Sequence, residues 1–175
     1  MSIFDRLAVC FAGAALLASG TGQAASDFGR PATADELAAW DISIPPDGRG
    51  LPPGSGTAKQ GAAVYTAKCV ACHGEKGVGK PADALVGGIG TLATATPLKT
   101  VGSYWPYATT LFDYVRRAMP YDRPMSLSSD EVYAVSAYVL SLNGIITEDA
   151  TMDAGTLPKV EMPNRNGFVD YWRQR

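Results

Sequence analysis

The only histidine of the chain, His73, directly follows a pair of cysteines two residues apart, in Cys69-Val70-Ala71-Cys72-His73. The whole sequence holds three Cys and one His, and the third cysteine, Cys10, lies in an apolar N-terminal stretch. Sulfur and imidazole chemistry is therefore concentrated in five positions. Other uses of Cys-x-x-Cys fit poorly. A redox dithiol goes with a βαβ pattern, which is absent, and gives the following His no task. A structural zinc ion takes about four ligands, and no second His or third Cys is at hand. A disulfide across two residues is strained and closes a trivial loop. What remains is covalent attachment of one haem c. Two thiols one helical turn apart add to the two vinyl groups of one porphyrin edge, and the adjacent imidazole takes one axial position on the iron.

With a single His, this chain cannot supply two imidazoles to the iron. The sulfur candidates are Met119, Met125, Met152 and Met162. Met119 is favoured because it ends a predicted helix and precedes Pro120, whose fixed φ can turn a side chain inward. Met125 is the second candidate, and Met119 as an ordinary core filler is the competing reading. Met152 and Met162 fall beyond the compact zone defined below. A haem with both axial positions filled serves electron transfer, and thioether ligation raises its potential. A vacant position would instead suit a haem enzyme or a gas sensor.

The first 25 residues, MSIFDRLAVCFAGAALLASGTGQAA, combine Arg6, an uncharged run from Leu7 to Ala18, and the small residues Gly22 and Ala24. That is the pattern of a cleaved secretory signal peptide, which places the mature chain in the periplasm. No apolar run reaches the ~18 residues of a membrane span, so none is expected after signal removal. Lys+Arg of 15 against Asp+Glu of 17 gives no electrostatic case for nucleic acid. With 46% hydrophobic and 18% charged residues the chain is globular, not disordered.

Three zones follow the signal. Residues 26–55 form a Pro-rich N-terminal arm, with a short helix expected at 33–40. Residues 56–142 form the compact zone, a monohaem domain. Residues 143–175 form a C-terminal arm. In the compact zone the spacing predicts a helix over 58–69, with Gly61, Tyr65, Cys69 and Cys72 on one face. A second helix is predicted over 108–118, started near Pro106 and stopped by Pro120. A third is capped by Ser128 with Glu131 reaching back, and ends at Asn143-Gly144. Gly61 is expected to let the first helix press on the third, with Tyr65 meeting Ala137 or Tyr138. No strand pattern appears, so the fold class is all-α with extended irregular arms.

Other features take secondary readings. Residues 74–81, GEKGVGKP, match a phosphate-binding loop until the last position, where Pro81 lacks the required hydroxyl, and no strand precedes them. Tyr104, Trp105 and Tyr107 are either haem-propionate neighbours or ordinary aromatic core. Arg116, Arg117 and Arg123 flank the Met119 turn, as a docking rim, a solvated face or propionate neighbours.

With these residues in view, 56–142 resembles a class I c-type cytochrome: CVACHG, a Met-Pro turn, then a C-terminal helix. Longer strings go further: WDISIPPDGRGLPPGSG (40–56), KTVGSYWPYATTLFDYVRRAMP (99–120), SLSSDEVYAVSAYVLSLNGI (126–145) and LPKVEMPNRNGF (157–168). They are similar to the cytochrome subunit of the sulfur (sulfane) dehydrogenase of the Sox thiosulfate-oxidation system, and to cytochromes paired with sulfite-dehydrogenase-like molybdenum proteins. The resemblance implies a class I cytochrome c fold, haem bound covalently by Cys69 and Cys72, and iron ligated by His73 and Met119. It implies a molybdopterin-containing catalytic partner that oxidises sulfur with water as oxygen source, and a downstream periplasmic cytochrome or oxidase. The chain itself would then be an electron-transfer subunit and not an enzyme. A free-standing periplasmic carrier is the alternative, in which the arms would pack on their own core. The larger family members carry two haem domains, and this chain has one CxxCH. A two-electron oxidation would thus pass through one iron in two steps, which favours a shorter, sulfite-dehydrogenase-like relative.

Overall fold

The structure is a computed structural model and describes residues 29–174. The expected signal peptide, 1–25, lies outside the described residues. The chain divides into two compact units at Trp40/Asp41. In the first, helix α1 spans Ala34–Trp40. Its cap is reciprocal: Glu36 N–H donates to Thr33 Oγ1 at 3.3 Å and Thr33 N–H to Glu36 Oε2 at 2.8 Å. Arg30 also grips Glu36, and chiefly for that reason the Glu36 carboxyl is pulled down to about 2.

The second unit is built on α2 (Ala58–Lys68) and α5 (Ser129–Leu142). Both start on capping boxes, Thr57 with Gln60 and Ser128 with Glu131. The two helices touch through backbone. A Cβ at Gly61 would lie 1.9 Å from the Ala134 carbonyl oxygen, so only Gly permits this crossing. One turn on, the Tyr65 and Tyr138 rings meet at 5.3 Å, as the spacing predicted. Helix α4 (Ala108–Ala118) packs on α5, with the Phe112 ring 4.5 Å from that of Tyr133. Phe112, Val132, Tyr133, Ala137 and Leu140 are fully buried there.

Three features differ from the sequence expectations. First, beyond the helix expected over 58–69, which runs to Lys68 with Cys69 (φ −126, ψ −33) as its cap, Val70–His73 forms a separate short helix, α3, that the spacing did not predict. Second, a two-stranded antiparallel ribbon pairs β1 (Ser55–Thr57) with β2 (Thr151–Asp153), placing Gly56 opposite Met152. The chain remains helical around it. Third, both arms enter the core: Ile44 from one side, Met152, Leu157, Val160 and Met162 from the other. Leu157 is wholly buried. Met152 and Met162 are therefore core side chains of the same unit that carries the Cys-x-x-Cys-His motif, not residues of a detached tail.

The N-terminal arm is held by a buried carboxylate. Asp113 of α4 accepts from the Ile44 N–H at 3.1 Å and pairs with Arg117 one turn on. Arg116 reaches the Ile42 carbonyl at 3.5 Å. Two of the three arginines flanking the Met119 turn thus bond within the chain, while Arg123 lies beside Asp122 at 3.6 Å.

Candidate haem site

Cys69, Cys72 and His73 are brought together by the helix break and the four-residue helix after it. Cys69 is half-buried, Cys72 exposed and His73 half-buried. The His73 N–H donates to the Cys69 carbonyl at 3.0 Å, and the Gly74 N–H to Val70 at 2.9 Å. Gly74 then turns the chain with φ +70, and a Cβ there would lie 2.6 Å from the Gly79 carbonyl oxygen. Tyr65 of α2 clamps this turn, its hydroxyl donating to the Gly74 carbonyl at 2.8 Å.

The segment after the motif folds back over it. The Gly79 N–H donates to the His73 carbonyl at 2.8 Å, and the Ala82 N–H to the Cys72 carbonyl at 2.9 Å. These bonds engage backbone that a phosphate-binding loop would leave free, and helix α3 precedes the segment instead of a strand.

His73 Nδ1 lies 3.0 Å from the Asp83 carbonyl oxygen. A carbonyl only accepts, so this bond requires the proton on Nδ1 and leaves the Nε2 lone pair for a metal. Sequence reasoning missed this partner because a backbone oxygen carries no residue signature. Burial first of all pushes the Cys69 thiol up to about 11. That is opposite to the activated thiolate of a redox dithiol. Among the described residues no group of three or more His, Cys, Asp or Glu is placed to hold a metal ion, so a zinc site has no support.

Met119 comes from a different element. It follows the last residue of α4 in extended conformation (φ −121, ψ 147), half-buried, with its N–H still bonded to Val115. Buried Pro120 follows, and the Arg123 N–H closes a turn onto the Pro120 carbonyl at 2.9 Å. Met125 lies in the exposed loop beyond, 61% accessible, with φ +61. Met152 and Met162 are buried in the core, at 5% and 3% accessible. Helices α2 and α4 both rest on α5, which is the common base of the two sides.

Aromatic residues of 104–114 pack with one another and with cations. The Trp105 and Tyr114 rings meet edge to face at 5.6 Å. Lys99 lies over Tyr104 at 5.0 Å and Arg165 over Tyr107 at 5.3 Å. Phe168 of the C-terminal arm packs on Tyr104 at 5.2 Å, and Asn164 donates to the Tyr104 carbonyl at 2.7 Å.

A haem c fits this donor set: two thiols two residues apart, an imidazole with its distal nitrogen free, and a thioether at a helix end. When bound it supplies a one-electron iron couple. The protein's part is to orient the imidazole and to keep it in one tautomer.

Comparison with known proteins agrees with this chemistry. The family described as cytochrome C oxidase, cbb3-type, subunit III matches residues 56–139. No match was found among curated proteins. Among solved structures, the sulfane dehydrogenase SoxCD from Paracoccus pantotrophus is similar, at 40% identity and a TM-score of 0.78. The match covers 84% of this chain and 73% of that one.

Proposed function

Because the chain belongs to the Sox-like c-type cytochromes, we propose that it is the haem subunit through which a molybdenum-dependent sulfite or sulfur dehydrogenase releases its electrons, one at a time. Cys69 and Cys72 bind the haem covalently, His73 ligates the iron from one side, and Met119 from the other. The chain carries one such haem and makes no bonds itself. It works in the periplasm after loss of its signal peptide. Its electrons then pass to another periplasmic cytochrome or an oxidase.

The observation that carries this reading is the reach of the similarity. The cytochrome family match stops at residue 139, whereas the match to the sulfane dehydrogenase covers 84% of the chain at 40% identity. Coverage of that extent takes in sequence outside the generic haem domain. Among the described residues no helix is long and apolar enough to cross a membrane, in keeping with a periplasmic site of action.

One observation favours the free-standing carrier. Ile44, Met152, Leu157 and Val160 bury the arms in the chain's own core, as that reading expects. Purification decides between the two. A tagged cytochrome, taken gently from its native periplasm, should bring a molybdenum-containing subunit with it. A lone, molybdenum-free cytochrome would make it a carrier.

A further inference from the structure

The side chain of Asn143 does more than end α5. It is buried, and its amide is satisfied on both sides. Nδ2 donates to the Val139 carbonyl at 2.9 Å and to the Leu85 carbonyl at 3.1 Å. Oδ1 accepts from the Gly87 N–H at 3.1 Å. Two carbonyls and one N–H fit only this orientation of the amide. Asn143 therefore joins the last turn of the central helix to residues 85–87.

That segment is the far anchor of the span carrying the Asp83 carbonyl. On the near side, the Ala82 N–H is tied to Cys72 at 2.9 Å. On the far side, the Leu85 N–H is tied to Gly77 at 2.8 Å, and its carbonyl to Asn143. Thr100 Oγ1 fastens the Gly87 carbonyl at 2.6 Å. The oxygen that receives the His73 Nδ1 proton is thus suspended between the motif and Asn143.

We propose that Asn143 is a positioning residue for the axial imidazole, holding the Asp83 carbonyl against His73 Nδ1 through its bonds to Leu85 and Gly87. The inference rests on the reading of His73 as iron ligand. A metal-bound imidazole depends on such an outer partner for its orientation and basicity. A buried amide with all its bonds made is a rigid anchor, and its removal takes the Asn143 partner from the Leu85 carbonyl and the Gly87 N–H.

The test is hydrogen exchange of the His73 Nδ1 proton in the reduced holoprotein, followed by NMR, with the reduction potential measured alongside. Asn143→Leu should speed the exchange about tenfold or more, since buried bonds of ordinary strength are lost. It should also shift the potential while His73 stays on the iron. Asn143→Asp keeps the acceptor for Gly87 but sets a carboxylate oxygen against the Leu85 and Val139 carbonyls, so it too should speed the exchange. It also serves if the Leu variant does not fold. Leu157→Ala, which lowers global stability from the arm side, is the control and should leave the local exchange unchanged. Wild-type exchange in both Asn143 variants, or exchange speeded as much by Leu157→Ala as by the Asn143 variants, would overturn the role of Asn143. A His73 that proves not to be on the iron in the wild type would overturn the underlying reading instead.

Discussion

The two sides of the proposed haem are held very differently. On the imidazole side, His73 sits inside a web of bonds: Tyr65 on Gly74, Gly79 on His73, Ala82 on Cys72, and the Asp83 carbonyl on the ring itself. On the thioether side, Met119 hangs from the end of one helix, and the next residues, from Tyr121 to Ser126, are all exposed. Tyr121 is 86% accessible. The contrast is between one proposed ligand that the fold fixes and another that it merely offers. An imidazole must keep one tautomer and one plane, which takes directed hydrogen bonds. A thioether is flexible and apolar and needs only a helix end that delivers it.

The largest effect should come from the over-determined side. Replacing both Cys69 and Cys72 by Ser should abolish covalent haem, read as loss of haem staining on a denaturing gel. Retained staining would break the attachment reading. Next comes Met119→Ala. It should open an axial position, so that the reduced protein binds CO rapidly at neutral pH and the potential falls. Met125→Ala should change neither property. The reverse result would move the ligand to the exposed loop, and rapid CO binding by the unmodified protein would favour a haem enzyme or sensor.

The third test concerns the packing of the C-terminal arm. Leu157→Ala removes a fully buried side chain of the C-terminal arm and should cost about 2–5 kcal/mol in denaturant unfolding. A cost near zero would return that arm to the surface. For the same reason, deletion of 143–175 should unfold the domain.

The smallest effect is electrostatic. Lys68 of α2 meets Glu131 of α5 at 2.6 Å, with about a third of each side chain exposed. The Glu131 carboxyl is lowered first by Lys68, then by the Ser128 N–H. A carboxyl lowered in the folded state stabilises above its unfolded pKa of about 4.3, and that gain is lost as pH falls through the folded value. Glu131→Gln keeps a capping-box residue and should cost about 0.2–1 kcal/mol at neutral pH. The difference from wild type should vanish in acid. A constant difference across pH would assign the effect to packing.

What the sequence revealed, and what it hid, follows from how each feature is encoded. The haem motif is local, so its residues are legible one by one. The bounds of α4 and the cap of α5 were legible because Pro120 and Ser128–Glu131 act within a turn of where they stand. The short helix Val70–His73 was not, since four residues are too few to show a helical period. The ribbon of Ser55–Thr57 with Thr151–Asp153 is too short to show alternation. Ile44, Met152 and Leu157 are isolated apolar residues in Pro-rich chain, and without a helix they have no period to betray their burial. Asn143 was legible as a helix end, but its long-range partners, Leu85 and Gly87, have no trace in sequence.

The central claim is that electrons from sulfur oxidation reach this haem. The most direct measurement adds sulfite, and separately thiosulfate, to the complex purified from native periplasm, and follows the reduced α-band. One of the two should reduce the haem rapidly in the complex and leave the isolated cytochrome oxidised. A molybdenum-containing complex in which neither substrate reduces the haem would contradict the account.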